Sequence, residues 1–404
     1  MPVKICDVVM GAGKTSSSIN LMNSDRESKY IFITPYLDEV KRIKESCADR
    51  DFKDPQNRGD GKLSDLHKLL ERKCNIASTH ALFKAYNDDT IRLIQEGGYK
   101  LILDEVFEVV EQYDIHQDDI GMLLEQKIID VDSRGRVRWI SDCYDGAFSD
   151  QLRDVCKSGN LILYKGSMML WTFPADVFRA FRDVIILTYL FDAQFQKYYF
   201  DMNQIETVRI GTVYERGEYH FCDYPNTPEY VRHLKDKIHI LEDKKLNEIG
   251  DSITSLSSSW YSRARDMRGQ PQLRQLRNNL TNVFRNIYNS PSSENLWTTF
   301  KSSQDILKGR GYTKGFLSYN VRATNAYRDR THLAYCVNVF YNPYMKNYFL
   351  DHGVDIKEDD FALSEMIQWI WRSAIRDGKD IWVYIPSRRM RELLYGWLEQ
   401  QARQ

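Results

Sequence analysis

Residues 3–16 read VKICDVVMGAGKTS, an apolar run that leads into a glycine loop. Residues 3–9 predict a short strand, and a helix-like stretch follows from Ser16. Gly11 and Gly13 allow the backbone to come close to a bound group and to direct its N–H groups at phosphate oxygens. The start of the helix adds the positive end of its dipole, which also attracts an anion. The segment therefore predicts a strand, a phosphate-binding loop and a helix, which is how many α/β domains begin.

Two side chains of this loop have the chemistry of a nucleotide site. Lys14 is placed to reach the β- and γ-phosphates, and the hydroxyl of Thr15 is placed to bind Mg²⁺. The complete P-loop pattern has a further glycine at the position of Val8. A strand-to-helix turn with a Lys-Thr pair by chance is therefore the alternative. With ATP and Mg²⁺ as cofactors, the predicted phosphate-binding residues are Gly11, Ala12, Gly13, Lys14, Thr15 and Ser16.

A second pair of candidate residues follows the short apolar run 101–103. Gly97 and Gly98 precede this run, which has the character of a buried parallel strand and ends in Asp104 and Glu105. In open α/β sheets, ligands bind at the carboxyl ends of the strands. Asp104 is therefore predicted to hold Mg²⁺, and Glu105 to orient and deprotonate the attacking water. Adjacent carboxylates that merely begin a loop are the alternative.

The composition is that of a globular protein with two or three domains. The chain has 404 residues, 42% of them hydrophobic, and a formal net charge of −1. This near-neutral charge restricts any nucleic-acid surface to a local patch. The seven cysteines form no Cys-x-x-Cys pair, which fits free thiols in a reducing compartment and argues against an iron–sulfur cluster. No apolar run approaches the ~18 residues of a membrane span, and no signal-peptide pattern is present, so we expect a cytoplasmic protein.

Two further strands are predicted to end in hydroxyl side chains. Residues 30–33 end at Thr34, and residues 75–77 run into Thr79. Together with the two strands described above, they alternate with helices, which is typical of a doubly wound sheet. Thr34 and Thr79 are candidates for contacts with a nucleic-acid backbone at the rim of this sheet. A role as helix N-caps is the alternative, and both roles are compatible.

The stretch 263–314 is strongly basic. It contains ten Lys or Arg residues against three acidic ones, a local balance of +7, with aromatic residues between them. Arginines combined with aromatics are typical of a single-strand channel, in which charges follow phosphates and rings stack on bases. The helical spacing of its leucines also fits an amphipathic helix pair with an aromatic core. We predict that Arg274, Arg277 and Arg285 contact nucleic acid and that the aromatic residues lie mostly in a core.

These motifs occur in an order that is known from a class of ATPases. Gly-x-Gly-Lys-Thr at 11–15, Thr-Pro at 34–35, Ser-Thr-His at 78–80, Asp-Glu at 104–105 and Thr-Tyr at 188–189 resemble the successive motifs of superfamily 2 helicases. A glycine loop without the first glycine of the pattern is similar to the loops of such helicases. The chain also resembles small helicase-like proteins that bacteriophages encode.

Residues 361–389 begin with a segment that resembles the sixth motif of this superfamily, a helix with the pattern Gln-x-x-x-Arg-x-x-Arg. The matching residues are Gln368, Arg372 and Arg376. In the family, these arginines reach the γ-phosphate from the second RecA-like domain, so the resemblance implies that they act as arginine fingers. Arg376 follows Arg372 by four residues instead of three, but on a helix both spacings share a face. Surface charge on a helix is the alternative.

The preceding residues, 311–340, resemble the fifth helicase motif, by position more than by letters. This motif couples the nucleotide state to the nucleic acid in the family. Arg322 and Thr324 are the residues of this chain that the resemblance places there. We therefore expect them to contact phosphates, either of ATP or of the nucleic-acid strand.

The resemblance implies an α/β fold with two RecA-like P-loop NTPase domains, each built on a parallel sheet. We place the first domain at residues 1–200 and the second at 201–404, with a basic helical insertion at 255–310. ATP and Mg²⁺ would bind in the cleft between the two domains. Hydrolysis would open and close this cleft and move a nucleic-acid strand across the rims of the sheets.

The function implied is that of an ATP-dependent helicase or translocase in the host cytoplasm, with partners in a replication or recombination machinery. The first strand begins the sequence, so we do not expect the upstream adenine-reading glutamine of DEAD-box proteins. Since those proteins act on RNA, this expectation favours DNA as the substrate. An ATPase switch that acts on a protein partner is one alternative. A viral DNA-packaging motor is another, but it would need a nuclease domain with clustered carboxylates, which the arginine-rich second half does not resemble.

Overall fold

The computed structural model describes residues 1–57, 59–148, 151–224, 228–266, 268–320 and 326–403. The chain divides into two compact units. Unit 1 comprises Met1–Asp7, Lys14–Tyr224 and Asn342–Ile356. Unit 2 comprises the remaining segments, which are Val8–Gly13, Pro225–Tyr341 and Lys357–Gln404.

The strands of the described residues are, in chain order, β1 (Val3–Asp7), β2 (Tyr30–Thr34), β3 (Ile76–Thr79), β4 (Lys100–Asp104), β5 (Val110–Gln112), β6 (Ile129–Val131), β7 (Val137–Trp139), β8 (Leu161–Tyr164), β9 (Met168–Thr172), β10 (Asp183–Thr188), β11 (Thr207–Glu215), β12 (Glu218–Cys222), β13 (Ile238–Ile240), β14 (Asn295–Thr298), β15 (His332–Tyr335) and β16 (Ile381–Tyr384).

The α-helices are α1 (Lys14–Ser24), α2 (Leu37–Ser46), α3 (Lys62–Glu71), α4 (His80–Phe83), α5 (Asp88–Gly97), α6 (Gln117–Glu125), α7 (Gln151–Lys157), α8 (Ala175–Ala180), α9 (Phe195–Met202), α10 (Glu229–Arg232), α11 (Leu234–Lys237), α12 (Lys244–Asn247), α13 (Ser258–Ala264), α14 (Gln270–Asn282), α15 (Gln304–Leu307), α16 (Pro343–Asp351), α17 (Glu358–Ile370) and α18 (Arg388–Arg403). Short 3₁₀ turns lie at Ala48–Arg50, Phe191–Ala193, Glu248–Gly250, Lys301–Ser303, Thr313–Gly315 and Ala374–Asp377, and one π turn lies at Val283–Ile287. None of the helices in the described ranges has the length and apolar character that a membrane span requires.

The main sheet of unit 1 has the strand order β12-β11-β1-β10-β4-β2-β3. From β11 to β3 every neighbouring pair is parallel, and only β12 joins the edge in the antiparallel sense. Strands β2 and β4 are apolar and almost wholly buried, as strands covered on both faces must be. A single strand, β10, separates β1 from β4, so the glycine loop and Asp104 follow strands whose carboxyl ends lie at the same edge of the sheet.

A small antiparallel subdomain is inserted into unit 1 between β4 and β10. It contains the sheet β5-β9-β8, the hairpin β6-β7 and helices α6 and α7 around its own apolar core. The two ends of the inserted segment meet, because Val110 pairs with Thr172 and the Phe173 N–H donates to the Val109 carbonyl at 2.8 Å.

Unit 2 is built on the parallel sheet β13-β16-β15-β14. Its core includes Leu276 and Phe284 from the helical region together with Ala334 and Tyr384 from the sheet. Helix α18 packs against α17, α10 and α11. The helices of the basic stretch and the sheet therefore share one core.

Two of the predicted domain boundaries differ from the structure. The division between the units lies near Tyr224 and not at residue 200. Strand β11 pairs with β1 and so belongs to the sheet of unit 1. Without β11, that edge of β1 would have no partner strand. Residues 255–310 are not a separate helical insertion. They contain β14, which pairs in parallel with β15, and Trp297 of β14 is fully buried in the core of unit 2.

Candidate functional site

The glycine loop joins β1 to α1. Gly11 and Gly13 have φ angles of +87° and +81°, a left-handed region in which a side chain would be strained. Helix α1 begins at Lys14, two residues earlier than predicted, so Lys14 and Thr15 occupy its first turn. The Ser18 hydroxyl donates to the Lys14 carbonyl at 3.1 Å. The loop thus has the backbone conformation that its two glycines were expected to permit.

One side chain of unit 2 contacts this loop, which belongs to the same unit. The Tyr230 hydroxyl donates to the Met10 carbonyl at 2.9 Å. A methyl group added at Gly11 would lie 3.5 Å from the same hydroxyl oxygen. Tyr230 therefore lies directly against the peptide backbone that precedes the phosphate-binding residues.

Asp104 lies at the carboxyl end of β4. The Thr34 hydroxyl donates to its Oδ2 at 3.3 Å, and His80 Nε2 donates to its backbone carbonyl at 2.9 Å. Burial raises the pKa of the Asp104 carboxyl to about 7, with Glu105 and Glu39 adding to the rise, while Lys14 and Thr34 oppose it. A carboxyl group in such surroundings is stabilised in its charged form by an added cation.

Glu105 lies on a sharp turn at the end of the same strand. Its φ angle is +64°, which is uncommon for a residue with a side chain, and its N–H donates to the Leu187 carbonyl of β10 at 2.9 Å. The side chain is partly exposed. The turn therefore directs the chain away from the sheet immediately after Asp104.

Asp7 is a residue of this region that the sequence analysis did not select. It ends β1, and its Oδ2 accepts a hydrogen bond from the Phe191 N–H at 3.2 Å and lies 3.8 Å from Arg209 Nε. Burial raises the pKa of Asp7, against the opposing effects of Arg209, the Phe191 N–H and Lys14. Its position directly before the glycine loop, at the end of an apolar strand, was the signal that could have revealed it.

The Lys14 ammonium group interacts electrostatically with the carboxyl groups of both Asp7 and Asp104. Lys14 lowers the pKa of both Asp7 and Asp104, so its ammonium group lies within electrostatic reach of both. In the described part of the chain, no group of three or more His, Cys, Asp or Glu side chains is arranged to hold a metal by itself. The predicted pair Thr15 and Asp104 would therefore need oxygens from water or from a bound phosphate to complete a Mg²⁺ site.

The two threonines that were predicted to contact a nucleic-acid backbone occupy different surroundings. Thr34 is completely buried and its hydroxyl faces Asp104, so it does not lie on an accessible rim. Thr79 ends β3 and is partly exposed. It occupies the N-cap position of α4 without a capping hydrogen bond from its side chain. The prediction is therefore wrong for Thr34, which supports the carboxylate site, and stays a prediction for Thr79.

The segment with the two candidate arginine fingers is not one continuous helix. Helix α17 ends at Ile370, and Ser373 is extended, with its hydroxyl donating to the Ile370 carbonyl at 2.6 Å. Arg376 lies in the following 3₁₀ turn and is exposed, whereas Arg372 is only 8% exposed. The predicted shared helical face is therefore wrong. Gln368 lies within α17, is buried, and donates to the Ser364 hydroxyl at 3.1 Å.

The basic stretch has its charges on the surface and its rings inside, as predicted. Arg274, Arg277 and Arg285 are exposed. Trp297 and Tyr312 are fully buried, and their rings meet edge to face with centroids 5.3 Å apart. Arg322 and Thr324 lie outside the described residues.

Two family models match this chain. One is described as the YonV C-terminal Rossmann-like domain and matches residues 232–398, and the other as the YonV middle domain and matches residues 110–171. The second range coincides with the inserted antiparallel subdomain. The chain is also 45% identical to the SPbeta prophage-derived protein YonV of Bacillus subtilis strain 168, over 99% of both chains.

Solved structures of helicases have a similar fold. An XPD helicase matches with a TM-score of 0.50 and 11% identity, over 97% of this chain and 94% of the other. Xpd4 of S. tokodaii matches with a TM-score of 0.46 and 13% identity, over 98% of this chain and 94% of the other. At such low identity the XPD likeness concerns the fold. It confirms the predicted α/β class with two RecA-like domains and, for the fold alone, the predicted resemblance to helicases.

Proposed function

Because the chain belongs to the YonV family and has a fold similar to that of an XPD helicase, we propose that it is an ATPase that moves along nucleic acid. The observation that carries this proposal is the environment of Lys14. It begins the helix after a glycine loop in left-handed conformation, and it acts electrostatically on Asp7 and Asp104. A cation and carboxylates at one end of a parallel sheet fit the triphosphate and Mg²⁺ of a nucleotide.

The proposed roles follow from the chemistry of each side chain. Lys14 and the N–H groups around Gly13 bind the β- and γ-phosphates, and Thr15 and Asp104 hold Mg²⁺ directly or through water. Mg²⁺ supplies charge neutralisation of the phosphates when it is bound. Glu105 orients and deprotonates the attacking water. Arg376, which is exposed whereas Arg372 is buried, is the proposed arginine finger.

The proposed substrate is DNA in preference to RNA, in the cytoplasm of a bacterial host. The prophage origin of the 45% identical relative supports a bacteriophage setting, and the exposed arginines of unit 2 supply the local positive charge that a neutral chain needs. Proteins of a replication or recombination machinery are the proposed partners. An ATPase switch that acts only on a protein partner remains the competing proposal.

The proposal is tested by measuring ATP hydrolysis with Mg²⁺, alone and with single-stranded DNA, duplex DNA or RNA. We expect turnover in the wild-type chain and stimulation by single-stranded DNA. Lys14→Ala should abolish turnover and leave thermal unfolding unchanged, because it removes the charge on the phosphates. Glu105→Gln should bind ATP and lose turnover, since the Mg²⁺ ligand Asp104 remains.

Lys41→Ala is the matched control, because Lys41 is an exposed lysine of unit 1 in α2 whose charge faces Glu45 of the same helix at 3.8 Å. It should hydrolyse ATP at the wild-type rate. Normal turnover in Lys14→Ala would show that the glycine loop is not the active site. Turnover that no nucleic acid stimulates would favour the switch that acts on a protein partner.

A further inference from the structure

Unit 2 contains a cavity of about 280 Å³ on the outer side of the basic stretch. It lies between the end of α13, the first half of α14 and the short helix α15. Its lining residues are Arg265, Gln270, Leu273, Arg274, Arg277 and Ile306. Three guanidinium groups and one amide therefore share a concave site with two apolar side chains.

The geometry of α14 explains how the polar residues come together. Gln270, Arg274 and Arg277 are spaced by four and three residues, so they lie along one face of the helix. Leu276 and Leu280 point into the core of unit 2 and hold that helix in place. The arginines are therefore presented to the cavity by a packed helix and not by a loop.

The third arginine comes from another element and is held in position. Arg265 follows the last residue of α13, and its Nη2 donates to the Ser303 hydroxyl at 3.2 Å and also to the Ser302 hydroxyl. Arg265 is thus fixed across the cavity from the arginines of α14. A pre-positioned guanidinium loses little conformational entropy when it binds an oxyanion.

The carboxylates closest in sequence have partners other than the arginines of this cavity. Asp266 accepts hydrogen bonds from the backbone N–H groups of Arg268 and Gly269 at 2.9 and 2.8 Å. Asp305 pairs with Lys308 at 3.0 Å. Among the described residues, neither Arg274 nor Arg277 forms an ion pair with a carboxylate. The cavity is therefore open to an anion from outside the chain.

We propose that this cavity binds one phosphate group of a nucleic-acid strand, with the adjoining sugar or base against Leu273 and Ile306. The proposal deepens the proposed function, on which it rests for the identity of the ligand. Planar guanidinium groups bind phosphate oxygens through paired hydrogen bonds, and an apolar wall accommodates the flat face of a base. The cavity would hold the strand at one defined point of unit 2, while the other exposed arginines act only through their general field.

The test compares two double variants that remove the same charge. Arg274→Gln with Arg277→Gln alters the cavity, and Arg263→Gln with Arg310→Gln alters exposed arginines of the same stretch that do not line it. The measurement is the affinity for a 15-nucleotide oligothymidine, labelled at its 3′ end, in a salt series. We expect the cavity variant to bind about tenfold more weakly, and the control to lose no more than about threefold, since only the former loses directed contacts. Equal losses would overturn the proposal.

A second pair of variants fills space without changing charge. Ile306→Trp should block the cavity and weaken binding of the oligothymidine by about tenfold. Ile287→Trp is the matched control, because Ile287 and Ile306 are 41% and 40% exposed and only Ile306 lines the cavity. Unchanged affinity in an Ile306→Trp protein that unfolds thermally like the wild type would overturn the proposal. If Ile306→Trp does not unfold cooperatively, Ile306→Phe is measured in its place.

The source of the phosphate is decided with two versions of the oligonucleotide, one with a 5′-hydroxyl and one with a 5′-phosphate. Equal affinities assign the cavity to an internal phosphodiester, and tighter binding of the phosphorylated version, lost in the cavity variant, assigns it to a strand end. ATP hydrolysis by the wild-type chain without nucleic acid is measured in parallel. A wild-type chain that binds the strand but does not hydrolyse ATP would refute the proposed function and leave the cavity proposal standing.

Discussion

At the scale of single residues, the carboxyl groups around Lys14 are the feature with the largest electrostatic effect. Asp7 and Asp104 both have raised pKa values because the protein removes much of the water around them, and Lys14 opposes the rise in each case. A protein without a functional reason seldom keeps carboxylates in such surroundings, since burial of a charge destabilises the fold. The arrangement is consistent with a site that is completed by a bound cation.

Asp104→Asn should stabilise the protein in the absence of nucleotide and Mg²⁺. The folded-state pKa of Asp104 is raised from its ordinary value to about 7, so folding becomes less favourable as the pH rises from about 4 to about 7, while only the unfolded chain ionises. We expect a gain of up to about 4 kcal/mol at pH 8, since each unit of raised pKa corresponds to about 1.4 kcal/mol, and a smaller gain at pH 5. Thermal unfolding of both proteins at the two pH values measures it. A gain that is larger at pH 5 would contradict the assigned direction.

The two candidate arginine fingers should behave differently when each is replaced by alanine. Arg372 is 8% exposed and Arg376 is exposed. We expect Arg372→Ala to lower the thermal unfolding temperature, because the buried stem of an arginine contributes packing. Arg376→Ala should unfold like the wild type and reduce ATP turnover by ~10³, the scale of arginine fingers. Normal turnover in Arg376→Ala would remove Arg376 from the active site.

At the scale of elements, strand β14 changes the meaning of the basic stretch. Its four residues, Asn295–Thr298, are all buried and pair in parallel with β15. This region was predicted to be helical, because the polar residues around the strand obscure an apolar run of only four residues. The basic helices are therefore attached to the sheet of unit 2 through a common core.

Trp297→Ala should destabilise unit 2 strongly. The Trp297 side chain is fully buried and packs against Tyr312 and Phe316, so we expect a loss of about 3 to 5 kcal/mol in the free energy of unfolding. Trp382→Ala in β16 is the matched control, because Trp382 is 39% exposed, and it should lose at most about 1 kcal/mol. Urea unfolding followed by circular dichroism compares the two. Similar losses would mean that β14 is not part of the core.

At the scale of the whole molecule, the inserted subdomain is a distinct part of unit 1. It has its own apolar core and its ends meet at the Val109 and Phe173 hydrogen bond. It contacts α16 through Tyr164, which bonds to Asp351 and packs on the ring of Tyr348, and through Lys165, which pairs with Asp351 at 2.7 Å. Segments with adjacent ends and a separate core are the ones that proteins lose or gain most easily.

Replacement of residues 110–171 by a short Gly-Ser turn should therefore leave the parallel sheet of unit 1 folded. The aromatic cluster beneath the insertion, which includes Phe83, Phe107 and Phe178, remains in the shortened chain. We expect cooperative thermal unfolding and, under the proposed function, hydrolysis of ATP that Lys14→Ala still abolishes. The full-length chain with Lys165→Ala controls for the lost contact with Asp351. A shortened chain that aggregates or unfolds without cooperativity would show that the insertion is an integral part of unit 1.

Much of the fold could be predicted from the sequence, because its signals are local. Two glycines before Lys14 specify a loop in left-handed conformation, and short apolar runs bounded by polar residues specify the buried strands β1, β2 and β4. The exposed arginines and buried aromatics of the basic stretch also follow from helical periodicity. In each case a few neighbouring residues carry the whole signal.

The tertiary structure alone decided which distant residues meet. Thr34 and Asp104 are 70 residues apart in the sequence, yet their side chains form a hydrogen bond. No local sequence pattern marks Thr34 as the buried partner of Asp104. The end of α17 at Ile370 depends on the Ser373 turn, so the regular spacing of Arg372 and Arg376 did not predict their different exposure. Strand pairing and burial are properties of the whole chain, and they determined which predicted residues lie at the site and which support it.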